Sequence, residues 1–317
     1  MSNSKNHGFT TSLPFFEHNK FNYHLTYIPL SNSKSLGIHK ASPQTHFPVV
    51  TPPPSKPNDT DEKLPTEAWE AFYPAGSISP SAPLPGGFSF YLSGPPSFSK
   101  ALQDFPNATH VQFSYRLLLQ PDWEWRKGGK LPGIFGGEGD LAYRCTGGRT
   151  RDRCQCFDIR PMWRENGIGE LYVYLPPIAP NPSLLLSVPP RSISNPQNYG
   201  TSIGRGAFHF TPGTWTLLTL RIKLNDLPPS SSSSSSSPSF FDPSTCPPTS
   251  TPSNGEIHLS INTTPVISCT GLTLRLSPNS KIKGMHMQTF FGGHTPDWAS
   301  PKDQRAWFAD VTGVVLG

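Results

Sequence analysis

The sequence predicts an all-β protein, an antiparallel two-sheet β-jelly roll sandwich. Three observations carry that expectation. Pro and Gly supply 38 and 27 of the 317 residues, about a fifth of the chain against a usual share of about 12%, so few helices can run uninterrupted. Short aliphatic and aromatic runs, several alternating with period 2, recur between these turn residues. Hydrophobic and charged residues are scarce, at 34% and 15%, while aromatics reach 11%, a composition suited to a β core carried with much loop. A coiled coil or helical bundle is excluded. The longest apolar runs, such as Leu184–Val188, fall far short of the roughly 18 residues of a membrane span, so no membrane association is expected.

The elements follow in order. Residues 1–65 are rich in Ser, Asn, Thr and Pro, include PPPSKP at 52–57, and sustain no period of 2 or 3.6, which reads as a disordered leader. Residues 66–317 then form one domain. Phe88–Leu92 and Val111–Leu119 are strand-like runs, and Phe157–Arg160 alternates. Gly169–Leu175, GELYVYL, is the most informative strand: alternation sets Leu171, Val173 and Leu175 against the core and Glu170, Tyr172 and Tyr174 on an open face. Trp215–Leu224 and Glu256–Asn262 alternate as well, and Met285–Phe291 is a further strand. Pro228–Ser253, with an unbroken serine run at Ser230–Ser237, reads as an overgrown loop between strands, since loop-closure entropy grows only slowly with length. No internal repeat is present.

Alternation puts Asp158 and Arg160 on one face of Phe157–Arg160, and if that segment and Gly169–Leu175 pair across the turn at 164–169, then Arg160, Tyr172 and Tyr174 can share one groove. Tyrosines on a strand are ordinarily packing residues, an alternating arginine is ordinarily a surface ion-pair partner, and Glu170 can simply pair with Arg164. The charge is unevenly distributed, and the ordinary reading of such a cluster is a solvated surface. The net charge is +5, and the segment from Arg126 to Arg164 alone holds nine basic and four acidic residues, so it accounts for the whole surplus. That total is small for a nucleic-acid binder, and no nucleic-acid partner is expected.

The five cysteines, at 145, 154, 156, 246 and 269, fit neither a zinc knuckle nor a thioredoxin motif. Cys145 and Cys156 can close a short loop around a Gly-Gly turn, and Cys246 and Cys269 can tie the Ser/Pro insertion to a strand, leaving Cys154 over. Disulfides imply an oxidising compartment, and Asn58, Asn107 and Asn262 begin glycosylation sequons. Secretion is therefore expected, although the first twenty residues contain no apolar signal-peptide core.

The run Trp123–Gly137 (WEWRKGGKLPGIFGG), then Cys145, then Cys156–Tyr174 (CFDIRPMWRENGIGELYVY), resembles the polysaccharide lyase family 14 group, which includes alginate and glucuronan lyases and many fungal members. The resemblance continues through Tyr199–Phe208, the alternating stretch ending at Asn225, and Thr289–Phe308, in the same order and over most of residues 66–317. It implies a β-jelly roll, and cleavage by β-elimination of a uronate-containing anionic polysaccharide of glucuronan or alginate type. Residue by residue, it implies catalytic roles for Lys130, Arg160, Tyr172 and Tyr174. The family's serine two residues before the arginine is replaced here by Asp158, a carboxylate able to pair with Arg160 and offset its charge.

Elimination needs these residue types. The C5 proton of a uronate becomes acidic once its carboxylate is neutralised, a task for the planar fork of Arg160. A base must then take the proton and an acid must protonate the departing oxygen; tyrosines whose pKa is lowered by nearby cations, assisted by Lys130, can supply both. Asp158, Lys127, Arg205 and Glu170 are candidates for substrate binding. His209, His286 and His294 are alternative bases with structural roles as the default. No metal or other cofactor is expected: the His spacing forms no metal triplet, neither KGGK nor FGGEG has the phosphate-loop arrangement, and no GxSxG elbow occurs. A monomer acting on polysaccharide is the expectation. The competing classes are a non-catalytic carbohydrate-binding jelly roll, kept open by Asp158, and a glycoside hydrolase, which would need two opposed carboxylates such as Glu170 and Asp158.

Overall fold

The computed structural model describes residues 7–13, 24–56, 64–103, 108–147, 149, 151–194, 200–228, 246 and 251–316. Eighteen strands are found among them: β1 (His7–Thr10), β2 (His24–Tyr27), β3 (Ile38–His39), β4 (Val49–Val50), β5 (Ala68–Tyr73), β6 (Phe88–Leu92), β7 (His110–Leu119), β8 (Gly129–Lys130), β9 (Gly133–Glu138), β10 (Cys156–Trp163), β11 (Ile168–Tyr174), β12 (Ile193–Ser194), β13 (Thr201–His209), β14 (Thr216–Lys223), β15 (Gly255–Ile261), β16 (Thr264–Leu272), β17 (Ser280–Phe291) and β18 (Gln304–Val315). Two short helices, α1 (Pro96–Gln103) and α2 (Asn181–Leu186), accompany them.

The strands form two sheets packed face to face, the expected jelly roll. One sheet runs β16, β15, β14, β7, β18, β1, β2, with β5 also on β18 and β4 on β5; the other runs β12, β13, β11, β10, β8, β17, β6, β3, with β9 joining β10 to β17. Alternation explains the first sheet. In β14 and β15 every second residue is buried, and the register sets Leu220 opposite Leu259 and Ile222 opposite Ile257 while Arg221 and His258 face outward together. Each such fully buried aliphatic side chain stabilises the fold by ~1.5–3 kcal/mol relative to exposure. Against them the second sheet presents Phe90, Ile159, Trp163, Val173, Met287 and Phe291 in the same core. Trp163 anchors one end of it, edge-on to Trp123 and Phe291 at centroid separations of 5.7 and 5.3 Å.

Two expectations are corrected. The N-terminal segment is no structureless leader: β1 pairs with β18 and β2 with β1, β3 and β4 extend the two sheets, and Phe9, Ile28, Leu30 and Leu36 are core residues. These strands are two to four residues long, too short to establish a readable period. Cys246 joins Cys154, not Cys269. Cys269 is a free thiol that points into the core from β16 and donates to the Leu184 carbonyl, whereas Cys154 sits in the turn before β10 with its Cα 5.4 Å from that of Cys246. The Cys145–Cys156 bridge forms as expected. The serine run, nearly all of the 228–253 insertion, and the sequons at Asn58 and Asn107 lie outside the described residues.

Candidate active site

The site is built on the β10–β11 hairpin. Its register places Arg160 opposite Tyr172 and Asp158 opposite Tyr174, while Ile159 faces Val173 on the core side, so alternation turns all four polar side chains to one face. Lys130 reaches the same face from β8, a two-residue strand threaded between β10 and β17 with Lys130 opposite both Met162 and Phe290. The glycines of KGGKLPG make this possible. A Cβ at Gly129 would lie 2.0 Å from the Trp163 ring, and one at Gly133 would lie 2.0 Å from the Ile159 carbonyl oxygen. Only a bare backbone passes this close.

These side chains line a cavity of about 840 Å³ together with Gln288 and Phe290 of β17, Arg164, Arg205, and a far wall that includes His294 and Trp298. Nζ of Lys130 donates to the Tyr174 hydroxyl at 2.9 Å and lies 5.2 and 4.8 Å from the Tyr172 and Tyr174 ring centres. Burial, with the positive charge of Arg160 next in weight, pushes the Lys130 pKa down to about 7. Tyr174 moves the other way: burial first, then the neighbouring Tyr172 and Asp158, hold its phenol well above the usual range despite Arg160 and Arg153. Tyr172 is raised too, again chiefly by burial. The expected lowering of tyrosine pKa by cations is thus corrected, because desolvation of the phenolate outweighs the attraction of the guanidinium groups.

Arg160, 1% exposed, is held on three sides. Its Nε donates to the Leu131 carbonyl at 3.0 Å, Nη1 to Gln288 Oε1 at 2.7 Å, and Nη2 to the Gln288 carbonyl. Of its five N–H groups, two terminal ones have no hydrogen-bond partner among the described residues. Asp158 does not take them. It accepts instead from Nδ1 of His286 at 2.9 Å, a ring kept neutral by burial and by Arg160 and stacked on Tyr91 at 4.4 Å. The other carboxylate oxygen, Oδ1, is buried with no hydrogen-bond partner among the described residues although Asp158 lines the cavity.

Glu170 is fully buried beneath the lining and not part of it. Oε1 accepts from Nε and Nη2 of Arg164 at 2.9 and 2.5 Å, and Oε2 accepts from Ser202 at 2.7 Å and from Nε of Arg205 at 2.6 Å. With its acceptor sites filled, Glu170 cannot touch a sugar directly, nor serve as one of the two opposed carboxylates of a hydrolase. Lys127 is outside the lining, paired with Asp297 and 5.9 Å from the Trp298 ring centre. His209 is exposed beyond the site, His294 is at its wall, and His286 is behind Asp158. Sequence reasoning missed Gln288 and Ser202. The alternation of Met285, Met287 and Phe291 against His286, Gln288 and Phe290 could have found the first. Among the described residues no group of three or more His, Cys, Asp or Glu is placed to hold a metal ion, and no helix is long and apolar enough to cross a membrane.

The cavity thus gathers a lysine, an arginine and paired tyrosines on one sheet of a jelly roll, and the family match places the chain in the class of carbon–oxygen lyases acting on polysaccharides. Over residues 61–235 and 248–311 the chain matches the polysaccharide lyase 14 family, and it belongs to that family. Among solved structures it is similar to a marine PL-14 alginate lyase from Aplysia kurodai, at 23% identity over 90% of this chain and 92% of the other with a TM-score of 0.66. A second is an alginate lyase from Chlorella virus, at 20% identity over 89% and 94% with a TM-score of 0.61. No curated protein matches the chain significantly in sequence.

Proposed function

We propose that this polysaccharide lyase cleaves a uronate-containing polymer of glucuronan or alginate type by β-elimination, with Lys130 as base, Tyr174 as acid and Arg160 as carboxylate neutraliser. The observation that carries the reading is the 2.9 Å contact between Lys130 and Tyr174 in which the two partners are shifted oppositely. A lysine with a pKa of about 7 is substantially neutral at physiological pH and can accept the C5 proton. A phenol held above its usual range keeps its proton until a stronger base, the departing glycosidic oxygen, forms beside it.

The steps balance. The two remaining N–H groups of Arg160 bind the uronate carboxylate and stabilise the enolate-like charge that develops as C5 loses its proton to Lys130. The electron pair forms the C4–C5 double bond, the C4–O bond breaks, and Tyr174 protonates the leaving oxygen. Tyr172, opposite Arg160, forms the groove wall and packs edge-on to Tyr174 at 5.2 Å. We assign the remaining hydrogen-bonding capacity of Asp158, whose Oδ1 is buried at the lining and has no partner among the described residues, to a sugar hydroxyl, so the carboxylate that replaces the family's serine recognises a donor. Two disulfides support an extracellular site of action.

The test is turnover by variants, followed through the ultraviolet absorbance of the unsaturated uronate. Tyr174→Phe and Arg160→Ala are expected to lower kcat by about 10²–10⁴-fold while the fold, checked by circular dichroism, persists. Full activity in either variant would refute the assignment. Asp158→Ser is expected to raise KM through loss of the hydroxyl contact; increased turnover would instead show that the carboxylate restrains Arg160.

A further inference from the structure

We propose that a second cavity, at the β3 edge of the second sheet, is a non-catalytic docking site for an acidic sugar of the polymer, bound through Lys100 and Lys283. The identity of the polymer rests on the reading above, whereas the site rests on its own geometry. The cavity measures about 470 Å³ and shares no lining residue with the catalytic groove. His39 lies opposite Tyr91, and Tyr91 opposite His286, so the cavity and the groove open on the same face of the sheet. Four strand spacings separate β3 from β10, about 19 Å. One long polymer can reach both sites, while a short oligosaccharide fills only one.

Helix α1 builds one wall. Phe98 and Leu102 are buried against the core, which turns Ser99, Lys100 and Gln103 to the cavity. Lys283 comes from β17, where alternation buries Ile282 and directs Lys281 and Lys283 outward. Lys281 is spent on the Gln103 carbonyl at the helix end. Lys283 makes only a long 3.4 Å contact with Gln103 Oε1. Among the described residues neither Lys100 nor Lys283 is in an ion pair, and no carboxylate lines the cavity. Burial, then the charge of Lys281, holds the Lys283 pKa below the ordinary lysine range, with Asp140 opposing from outside the lining. A bound anion offsets that repulsion.

The neutral groups select a sugar acid over a bare anion. Nδ1 of His39 donates to the Gly37 carbonyl at 2.8 Å, which leaves Nε2 of the neutral ring to accept from the Tyr143 hydroxyl at 2.9 Å. Ser93 and Ser99 donate to the Gly37 and Pro96 carbonyls. All three hydroxyls of the lining are thus spent as donors, and their oxygens remain as acceptors. The lysines match a carboxylate and these oxygens match the hydroxyls of a sugar ring. Inorganic phosphate offers mainly acceptors and matches the lysines alone.

The experiment measures binding of long polyglucuronate or polymannuronate to the full chain by titration calorimetry. Arg160→Ala and Tyr174→Phe are combined as the background, which disables the groove and prevents cleavage. In that background Lys100→Gln with Lys283→Gln is expected to weaken polymer binding about tenfold. Lys100→Gln alone, at an exposed helical position, keeps the fold and should show part of the loss. Lys34→Gln with Arg305→Gln removes the same charge at exposed positions outside the cavity and should change little. A uronate trisaccharide should displace the polymer, and inorganic phosphate at the same concentration should not. A loss no larger than that of the Lys34 and Arg305 pair, or phosphate competing as well as the trisaccharide, would overturn the docking site. Because the groove is disabled in every arm, failure of the wild-type protein to form unsaturated uronate would refute the elimination reading and leave this site standing.

Discussion

Lys130, half-buried at the groove, lies near Arg160, Arg164 and Arg153, each of which adds to the desolvation that lowers its pKa to about 7. In the unfolded chain the same amine titrates near 10.4, so between about pH 7 and pH 10.4 the unfolded state binds more protons and stability rises with pH. Below about pH 7 both states are protonated and the full cost of burying the charge is present. Lys130→Met should therefore abolish turnover yet melt at a higher temperature than the parent. Its advantage should be larger at about pH 6 than at about pH 9, as scanning calorimetry at the two pH values would show; an equal or inverted difference would contradict the assigned burial. That Arg160, Tyr172 and Tyr174 share a face was legible in the sequence from two short alternating segments, whereas Lys130 was drawn only from the motif that carries the family resemblance. Their supports were not legible. Gln288 and His286 lie 128 residues from Arg160 and Asp158, and no local period encodes such a contact. The direction of the tyrosine shifts was hidden for a related reason: neighbouring cations are visible in a sequence, whereas the burial that outweighs them is a property of the closed groove.

Several strands of the two sheets were readable from their alternation, whereas β13, β16 and β18 were not named from the sequence. Phe88–Leu92 is reproduced residue for residue, and the segments around 111–119, 215–224 and 256–262 shift by one residue at most at each end. The short strands at the N-terminal end were not readable, yet they bury large side chains. Phe9 on β1 is fully buried, lies edge-on to Phe98 of α1 at 5.0 Å, and is held by pairing with β18. Phe9→Ala should cost ~3–5 kcal/mol of stability, the range for truncating a core phenylalanine. An unchanged denaturant midpoint would restore the picture of a dispensable leader. The disulfide partners were misjudged on similar grounds, since the match of Cys154 to Cys246 depends on which face of β16 carries Cys269, and that face is the core.

Across the whole molecule, the +5 net charge matters less than its placement. The surplus lies in one segment, and folding turns its Lys130 and Arg160, with Arg164 and the distant Arg205, toward a single cavity, where the acidic residues are already committed: Glu170 to two arginines and Asp158 to His286. The sandwich supplies the rigidity this requires, because β10 is buried along both faces and holds Asp158 and Arg160 on the groove side while Ile159 and Trp163 are packed on the other. A groove so charged suits a polyanion, and its lysine–tyrosine contact suits elimination more than hydrolysis. The most direct measurement is product analysis after incubating the full chain with polyglucuronate, polymannuronate and a neutral glucan. The expected result is ultraviolet absorbance from a C4–C5 unsaturated uronate with at least one of the two polyuronates and none with the neutral glucan. New reducing ends without that absorbance, or no cleavage of either polyuronate, would contradict it.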